Sequence, residues 1–281
     1  MLSYRHAFHA GNHADVLKHL VEILLLRHLQ QKDKAFWYVD THAGAGAYSL
    51  ESGYATQNAE FETGIARLWQ QEHLPVALAD YVGQIRQLNP DGILRHYPGS
   101  PLIAQALLRP QDSMRLFELH PADFELLQRN ITSRTALVGQ SDGFAALKAV
   151  LPPLPRRGLI LIDPPYEDKQ DYLRVVDSLG EGLRRFANGV YAIWYPRLQR
   201  RESDNLQQQL KQLPVTSWLH AALNVHAPRE DGFGMHGSGM FIINPPWTLR
   251  DTLAECLPVL AGLLAQDKQA GYVLEHEEHH H

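Results

Sequence analysis

The chain has 281 residues, of which 44% are apolar and 20% charged, and its formal net charge is -5. These are ordinary globular values at a length that fits one large domain or two small ones, so disorder, collagen and coiled coil are excluded as whole-chain answers. The single cysteine, Cys256, excludes a disulfide scaffold and any cysteine-rich metal site.

No apolar stretch approaches the roughly 20 residues that span a bilayer. No basic segment followed by an apolar core opens the chain. A soluble, cytoplasmic protein with no membrane partner is expected. Leu274–His281 resembles an expression tag, and setting aside Glu275, Glu277 and Glu278 moves the net charge from -5 to -2. A chain so close to neutrality binds RNA only through clustered basic residues.

The first pattern runs from Tyr4 to Leu29. Asn12 is a good N-cap, and Val16, Leu17, Leu20, Val21, Leu24 and Leu25 recur at helical spacing. Asp15 sits in the first turn and Arg27 and His28 in the last, as the helix dipole favours. Phe36–Val39 reads as a short buried strand ending at Asp40.

Thr41-His42-Ala43-Gly44-Ala45-Gly46 follows, but the helix of a simple strand–helix unit does not come next. Instead, two polar-faced helical patterns, Asn58–Gln71 and Pro75–Leu88, flank His73-Leu74-Pro75. Tyr97-Pro98-Gly99-Ser100-Pro101 then punctuates the chain. Ser100 with Pro101 is a strong helix start, and Leu102–Arg109 is the delayed helix. Residues 47–98 therefore read as a helical insert. The core is expected to comprise residues 1–46 and 99–273, with 274–281 as the tag.

Strands and helices then alternate. Met114–Leu119 precedes helix Pro121–Asn130, and Ala136–Val138 precedes helix Gly143–Val150. Gly158–Ile162 precedes a helix over Tyr172–Phe186, and Val190–Tyr195 precedes helix Glu202–Leu213. Trp218–Val225 and Gly239–Ile243, joined by a glycine-rich loop, close as a hairpin. The expected fold is α/β: a mostly parallel sheet covered on both faces, with a terminal antiparallel hairpin and a small helical insert.

In such a sheet ligands bind beyond the carboxyl ends of the strands, where strand order reverses. Gly44 and Gly46 allow close backbone approach at the first strand's end. The dinucleotide fingerprint is incomplete, because Ser49 stands three residues after Gly46. Glu118 is placed to hold ribose hydroxyls, and Asp142 to accept from an adenine amine.

Asp163-Pro164-Pro165-Tyr166 is the most specific signal. It ends the fully apolar strand Leu159-Ile160-Leu161-Ile162. The prolines fix φ near about -65° and remove two N–H donors. Left behind are two acceptors, the Asp163 carboxylate and the Pro164 carbonyl, with the ring of Tyr166 beside them to stack on a base. Two acceptors suit an exocyclic amine, whose lone pair they aim at an electrophile. Asn244-Pro245-Pro246-Trp247 is a near-copy that stands as the alternative turn.

Tyr4–His19 (YRHAFHAGNHADVLKH), Asp40–Gly46, Tyr97–Pro101, Glu118–Pro121, Asp142–Phe144 and Asp163–Tyr166 together resemble the RlmJ (YhiR) family, bacterial 23S rRNA adenine-N6 methyltransferases. The resemblance runs over about Met1–Trp247. It implies a Rossmann-like class I methyltransferase core, S-adenosyl-L-methionine as methyl donor and one adenine of 23S rRNA as acceptor, met before full ribosome assembly by a monomeric enzyme. By matching position it places cofactor contacts on His19, His42, Ser100, Glu118, Asp142 and Gly143, the catalytic acceptor on Asp163, and Tyr4 at the RNA.

The segment holding Tyr4, Arg5 and His6 is expected to close over an unstacked base, with Lys18 on the same surface. Arg156-Arg157, Arg184-Arg185 and Arg197 with Arg200-Arg201 are the basic candidates for phosphates. His9 and His13 are spaced i, i+4, but His9 precedes the helix cap and no H-E-x-x-H occurs, so no metal is expected. DNA or protein-amide methyl transfer by the same turn, a plain RNA- or nucleotide-binding module and a nicotinamide dehydrogenase are the other classes. The incomplete glycine pattern disfavours the last.

Overall fold

A computed structural model describes residues 6–278; Tyr4 and Arg5 lie outside the described residues. A short 3-10 turn, His6–Phe8, leads to α1 (His13–Gln30). Asn12 caps α1 by accepting from the backbone N–H groups of Ala14 and Asp15, both at 3.0 Å. β1 (Trp37–Asp40) follows, and then β2 (Ala47–Ser49). The insert contains α2 (Gly53–Asn58), α3 (Ala66–Trp69) and α4 (Val76–Arg86), and ends in β3 (His96–Pro98). β2 and β3 pair antiparallel, Ala47 opposite Pro98, and bring the two ends of the segment together.

Where the sequence pattern predicts one helix over Asn58–Gln71, the chain forms α2, a 3-10 turn and α3. Gly64 is the reason. A Cβ there would lie 2.1 Å from the Gly11 carbonyl oxygen, so the backbone bends to dock at the start of α1, and Ile65 N–H donates to that oxygen at 2.8 Å.

The rest alternates as α5 (Ser100–Leu107), β4 (Ser113–Phe117), α6 (Pro121–Asn130), β5 (Ala136–Gly139), α7 (Gly143–Val150), β6 (Gly158–Ile162), α8 (Gln170–Arg185), β7 (Val190–Arg197) and α9 (Arg201–Lys211). β8 (Ser217–Asn224), β9 (Gly237–Ile243), α10 (Leu249–Leu263) and β10 (Gly271–Glu278) complete it. The sheet order is β10-β8-β9-β7-β6-β1-β4-β5. β5, β4, β1, β6 and β7 are parallel neighbours, whereas β9 runs antiparallel between β7 and β8. The fold is the Rossmann-like class I methyltransferase arrangement.

Alternation along the strands divides the core in two. Leu159 and Leu161 face α1, α5, α10 and the insert. Ile160 and Ile162 face α7, α8 and α9. Cys256 is part of the first core. β10 is an additional edge strand: Leu274–Glu278, set aside in the sequence as a tail, pair with Ala221–Ser217. Among the described residues no helix is long and apolar enough to cross a membrane.

Candidate active site

The order of the parallel strands reverses between β1 and β6, because the chain builds β4 and β5 on one side of β1 and β6 and β7 on the other. Asp40 ends β1 and Asp163 follows β6, so the two meet at this switch point. A cavity of about 850 Å³ opens there. Ten of the residues singled out in the sequence line it: His6, Lys18, His19, His42, Ser100, Glu118, Asp142, Gly143, Asp163 and Pro164. They come from six separate stretches of chain.

At the end of β1, Asp40 is fully buried and burial pushes its carboxyl up to about 6, against hydrogen bonds from Ser100 and Tyr38 that lower it. Ser100 Oγ donates to it at 2.6 Å, Tyr38 at 2.9 Å and His42 N–H at 3.2 Å. Ser100 lies in the first turn of α5, one residue inside its Gly99 cap, so the delayed helix is tied directly to the β1 turn. Gly44 adopts φ +62°, where a Cβ would meet the Tyr48 hydroxyl at 2.4 Å. Its N–H donates to Glu118 Oε2 at 2.9 Å, while His120 N–H donates to Oε1 at 2.7 Å. Burial raises the Glu118 carboxyl, with those two N–H groups opposing.

Asp142 caps α7 by accepting from Phe144 N–H at 3.0 Å and pairs with Arg174 of α8. Gly143, which lines the cavity, packs so close to the residue after β1 that a Cβ would lie 1.8 Å from the Thr41 carbonyl oxygen. His42 packs edge-on against Phe144 at 4.8 Å, and burial lowers its imidazole to about 4, so it is neutral at pH 7. Arg174 has no distinguishing signal in the sequence beyond a charge on a helix face. Its guanidinium lies over the Phe144 ring at 4.5 Å.

α1 contributes a polar stripe to an otherwise apolar helix. Asp15, Lys18, His19 and Glu22 stand at i, i+3, i+4 and i+7 and are all at most 5% exposed. Lys18 Nζ lies 2.5 Å from Asp163 Oδ2 and 3.1 Å from Asp15 Oδ1. Asp15 Oδ2 accepts from Gly11 N–H at 2.9 Å and lies 2.8 Å from His6 Nε2. The His6 turn is thereby tied over the cavity. Burial raises the Asp163 carboxyl, and Lys18 and His6 act against that rise. Burial lowers His19 to about 3. His19 lines the cavity; its Nδ1 meets the Tyr97 hydroxyl at 2.7 Å, while Nε2 is buried without a hydrogen bond, 3.9 Å from Asp15 Oδ1.

Two sequence readings change. Tyr166 does not line the cavity. Its ring is 3% exposed and packs on Tyr172 and Trp194 at centroid distances of 4.6 and 6.0 Å. Its hydroxyl donates to the Trp194 carbonyl at 2.7 Å, and φ +53° turns it back into the core. A buried aromatic whose hydroxyl finds a carbonyl is more stable than one left beside water. Tyr166 therefore anchors the Asp163-Pro164 turn and offers no stacking face here. The other change is Asn244. Because β9 is antiparallel, Asn244 emerges at the opposite end of the sheet, where its Nδ2 donates to Ala187 and Gly189 carbonyls at 2.8 and 2.7 Å.

Arg156-Arg157 and Arg184-Arg185 lie at that far end as well. Arg157 binds the Leu29 carbonyl at 2.8 Å, and Arg184 and Arg185 pair with Glu181. Arg197, with Arg200 and Arg201, lies on the cavity side. His9 pairs with Glu60 and His13 is buried in α1. Among the described residues no group of three or more His, Cys, Asp or Glu side chains is gathered as a metal site requires.

A family model described as "Ribosomal RNA large subunit methyltransferase D, RlmJ" matches residues 33–276. "Ribosomal RNA large subunit methyltransferase J" of Escherichia coli (strain K12) is 52% identical over 265 residues, 94% of each chain. The protein of the same name from Haemophilus influenzae is 48% identical over 277 residues, 98% of each chain. The crystal structure of protein LPL1258 from Legionella pneumophila superposes with a TM-score of 0.88 at 34% identity, covering 95% of this chain and 98% of that one. With the cavity at the switch point and matches of this length, the chain belongs to the RlmJ family of ribosomal RNA large subunit methyltransferases.

Proposed function

We propose that this chain transfers the methyl group of S-adenosyl-L-methionine to the exocyclic N6 of one adenine in 23S rRNA. One observation carries the reading: the Asp163-Pro164 acceptor turn opens into the same cavity as Glu118, Asp142 and Gly143. One half of that cavity suits a nucleoside and the other an amine. The cofactor supplies an electrophilic methyl group on a sulfonium. Glu118 offers a carboxylate to ribose hydroxyls and Asp142 an acceptor to the adenine amine. Gly143 lets the start of α7 close against Thr41 at the cavity wall. His19 and Ser100 border the β1 turn, and the imidazole nitrogen without a hydrogen bond has a use when a polar group of the cofactor sits there.

On the acceptor side, the substrate amine takes the place that Lys18 holds at Asp163 Oδ2. Pro164 and Pro165 keep the turn rigid, so the acceptors need no reorganisation at the moment of transfer. The bond from nitrogen to the methyl carbon forms as the carbon–sulfur bond breaks, and the proton released from nitrogen passes to Asp163. Much of the rate comes from holding two reactants in line.

The test is methyl transfer from radiolabelled S-adenosylmethionine to protein-free 23S rRNA lacking the modification. Label in N6-methyladenosine at one site is expected. Asp163→Ala is expected to reduce turnover by roughly a hundredfold or more, the range of general-base contributions, with cofactor affinity nearly unchanged. A normal rate in that variant sinks the mechanism. Label on DNA or on protein glutamine, with none on rRNA, sinks the choice of substrate.

A further inference from the structure

The connection between β8 and β9, residues 225–236, is not used by the chemistry above. β8 is parallel to β7, so this loop leaves the sheet at the same end as Asp163. Arg197, the last residue of β7, stands opposite Gly237, and Ile193 stands beside Ile162. The loop therefore begins about 10 Å of strand above the register of Asp163, on the side away from Glu118.

Its tip carries Phe233, 73% exposed, between Gly232 at φ +74° and Gly234 at φ +88°. Asp231 Oδ1 accepts from Phe233 N–H at 3.0 Å and sets the turn. A Cβ on Gly232 would lie 3.3 Å from Gln199 Oε1, so the tip is next to the β7–α9 turn and its exposed Arg200 and Arg201. Arg229 of the loop is also exposed. One exposed aromatic alone is ordinary. This one stands at the same end of the sheet as Asp163, beside exposed arginines.

The base of the loop adds a second, independent observation. Arg197 Nη1, His236 Nδ1, Asn224 Oδ1, Ser238 Oγ and His13 Nδ1 are buried polar atoms with no hydrogen-bond partner. All belong to the β7, β8 and β9 ends around Gly237 or to the first turn of α1 that faces them. Elsewhere the loop is pinned: Val225 N–H donates to the His236 carbonyl at 2.9 Å, and Ala227 N–H to Asp267 at 2.8 Å. The loop is thus pinned at both ends while its aromatic tip stays exposed.

We infer that the 225–236 loop is an RNA-contacting element, with Phe233 as the platform on which an unpaired base beside the target adenine stacks. This rests on the rRNA reading above. Stacking on one aromatic ring is sequence-tolerant, so the loop holds the flanking strand while Asp163 selects the amine. Arg200, Arg201 and Arg229 are the exposed groups beside it that can meet phosphates, set among Glu202, Asp204, Glu230 and Asp231.

The test measures binding and methylation of a 23S rRNA fragment that the wild-type protein modifies. Phe233→Ala is expected to weaken RNA binding and raise the RNA KM about tenfold, within the range for one lost stack, with cofactor affinity and melting temperature unchanged. Phe233→Tyr is expected to retain wild-type affinity, which a merely structural loop would not predict. With 4-thiouridine beside the target adenine, the photocrosslink is expected on the peptide containing Phe233. Unchanged RNA affinity in Phe233→Ala, with the crosslink elsewhere, overturns the inference and leaves the enzymatic reading standing. A wild-type protein that neither binds nor methylates the fragment overturns both.

Discussion

Asp163 is held between opposing influences. Burial drives its carboxyl up; the Lys18 ammonium at 2.5 Å, and His6 behind Asp15, draw it down. A proton acceptor needs both: ionised before transfer, basic enough to take the proton during it. Replacing Lys18 by Met removes the positive charge nearest the carboxylate, and the Asp163 pKa rises. The acid limb of kcat/KM is therefore expected to move to higher pH. The variant is expected to lose a larger share of its kcat/KM at pH 6 than at pH 8. A pH–rate profile of both proteins checks this, and superimposable acid limbs refute it. Lys18 and His19 are legible in the sequence as candidates. Asp15 reads there only as a helix-dipole residue, and Glu22 does not stand out. Their signal is nonetheless present: four polar residues at i, i+3, i+4 and i+7 of a helix that is otherwise apolar. Glu22 is 0% exposed, and burial pushes its carboxyl well above the usual range.

Among the elements, α1 links the site to the rest. Its Asn12 cap, its start at His13 and its apolar spacing are all legible, because capping and periodicity are local. Its first turn also carries a stability switch. Burial lowers His13 to about 4, from the 6.5 of an unfolded chain. Between those values the unfolded chain binds a proton that the folded chain does not, so stability present above pH 6.5 is lost as pH falls. From pH 7 to pH 5 this group accounts for about 2 kcal/mol. His13→Gln is expected to lack that component. Denaturant unfolding of both proteins at pH 7 and pH 5 should show a smaller drop for the variant; equal drops would refute the assignment. β6 is the opposite case. Its all-apolar run marks it as central, and all five of its residues are buried between β1 and β7. Tyr166 of the proline turn that follows is misplaced by sequence reasoning, because a dipeptide of prolines constrains the backbone before it but not which way the following ring turns.

Across the whole molecule, the insert shares the core that α1 builds. Ile65, Leu68, Leu78, Tyr81 and Ile85 are fully buried in one cluster with Leu17, Leu20 and Leu25. Burying such side chains is worth about 1.5–3 kcal/mol each, and together they reach the scale of a domain's net stability. Replacing residues 47–98 by a short glycine linker is therefore expected to abolish the cooperative thermal transition. A sharp melt near the wild-type temperature would show instead that the core stands alone. The sequence by itself determined the alternation of strands and helices, the interruption after β1, and the carboxylates and glycines at the strand ends, since periodicity, caps and turns are written in neighbouring residues. Tertiary structure alone decided which of two proline turns opens into the cavity at the switch point. β9 runs antiparallel, and that places Asn244 at the far end from Asp163. It also decided which arginine pairs face the site, that β10 adds an edge strand, and that Arg174 reaches Asp142. Each depends on strand order and direction, which pair residues tens of positions apart and leave no local mark on the chain.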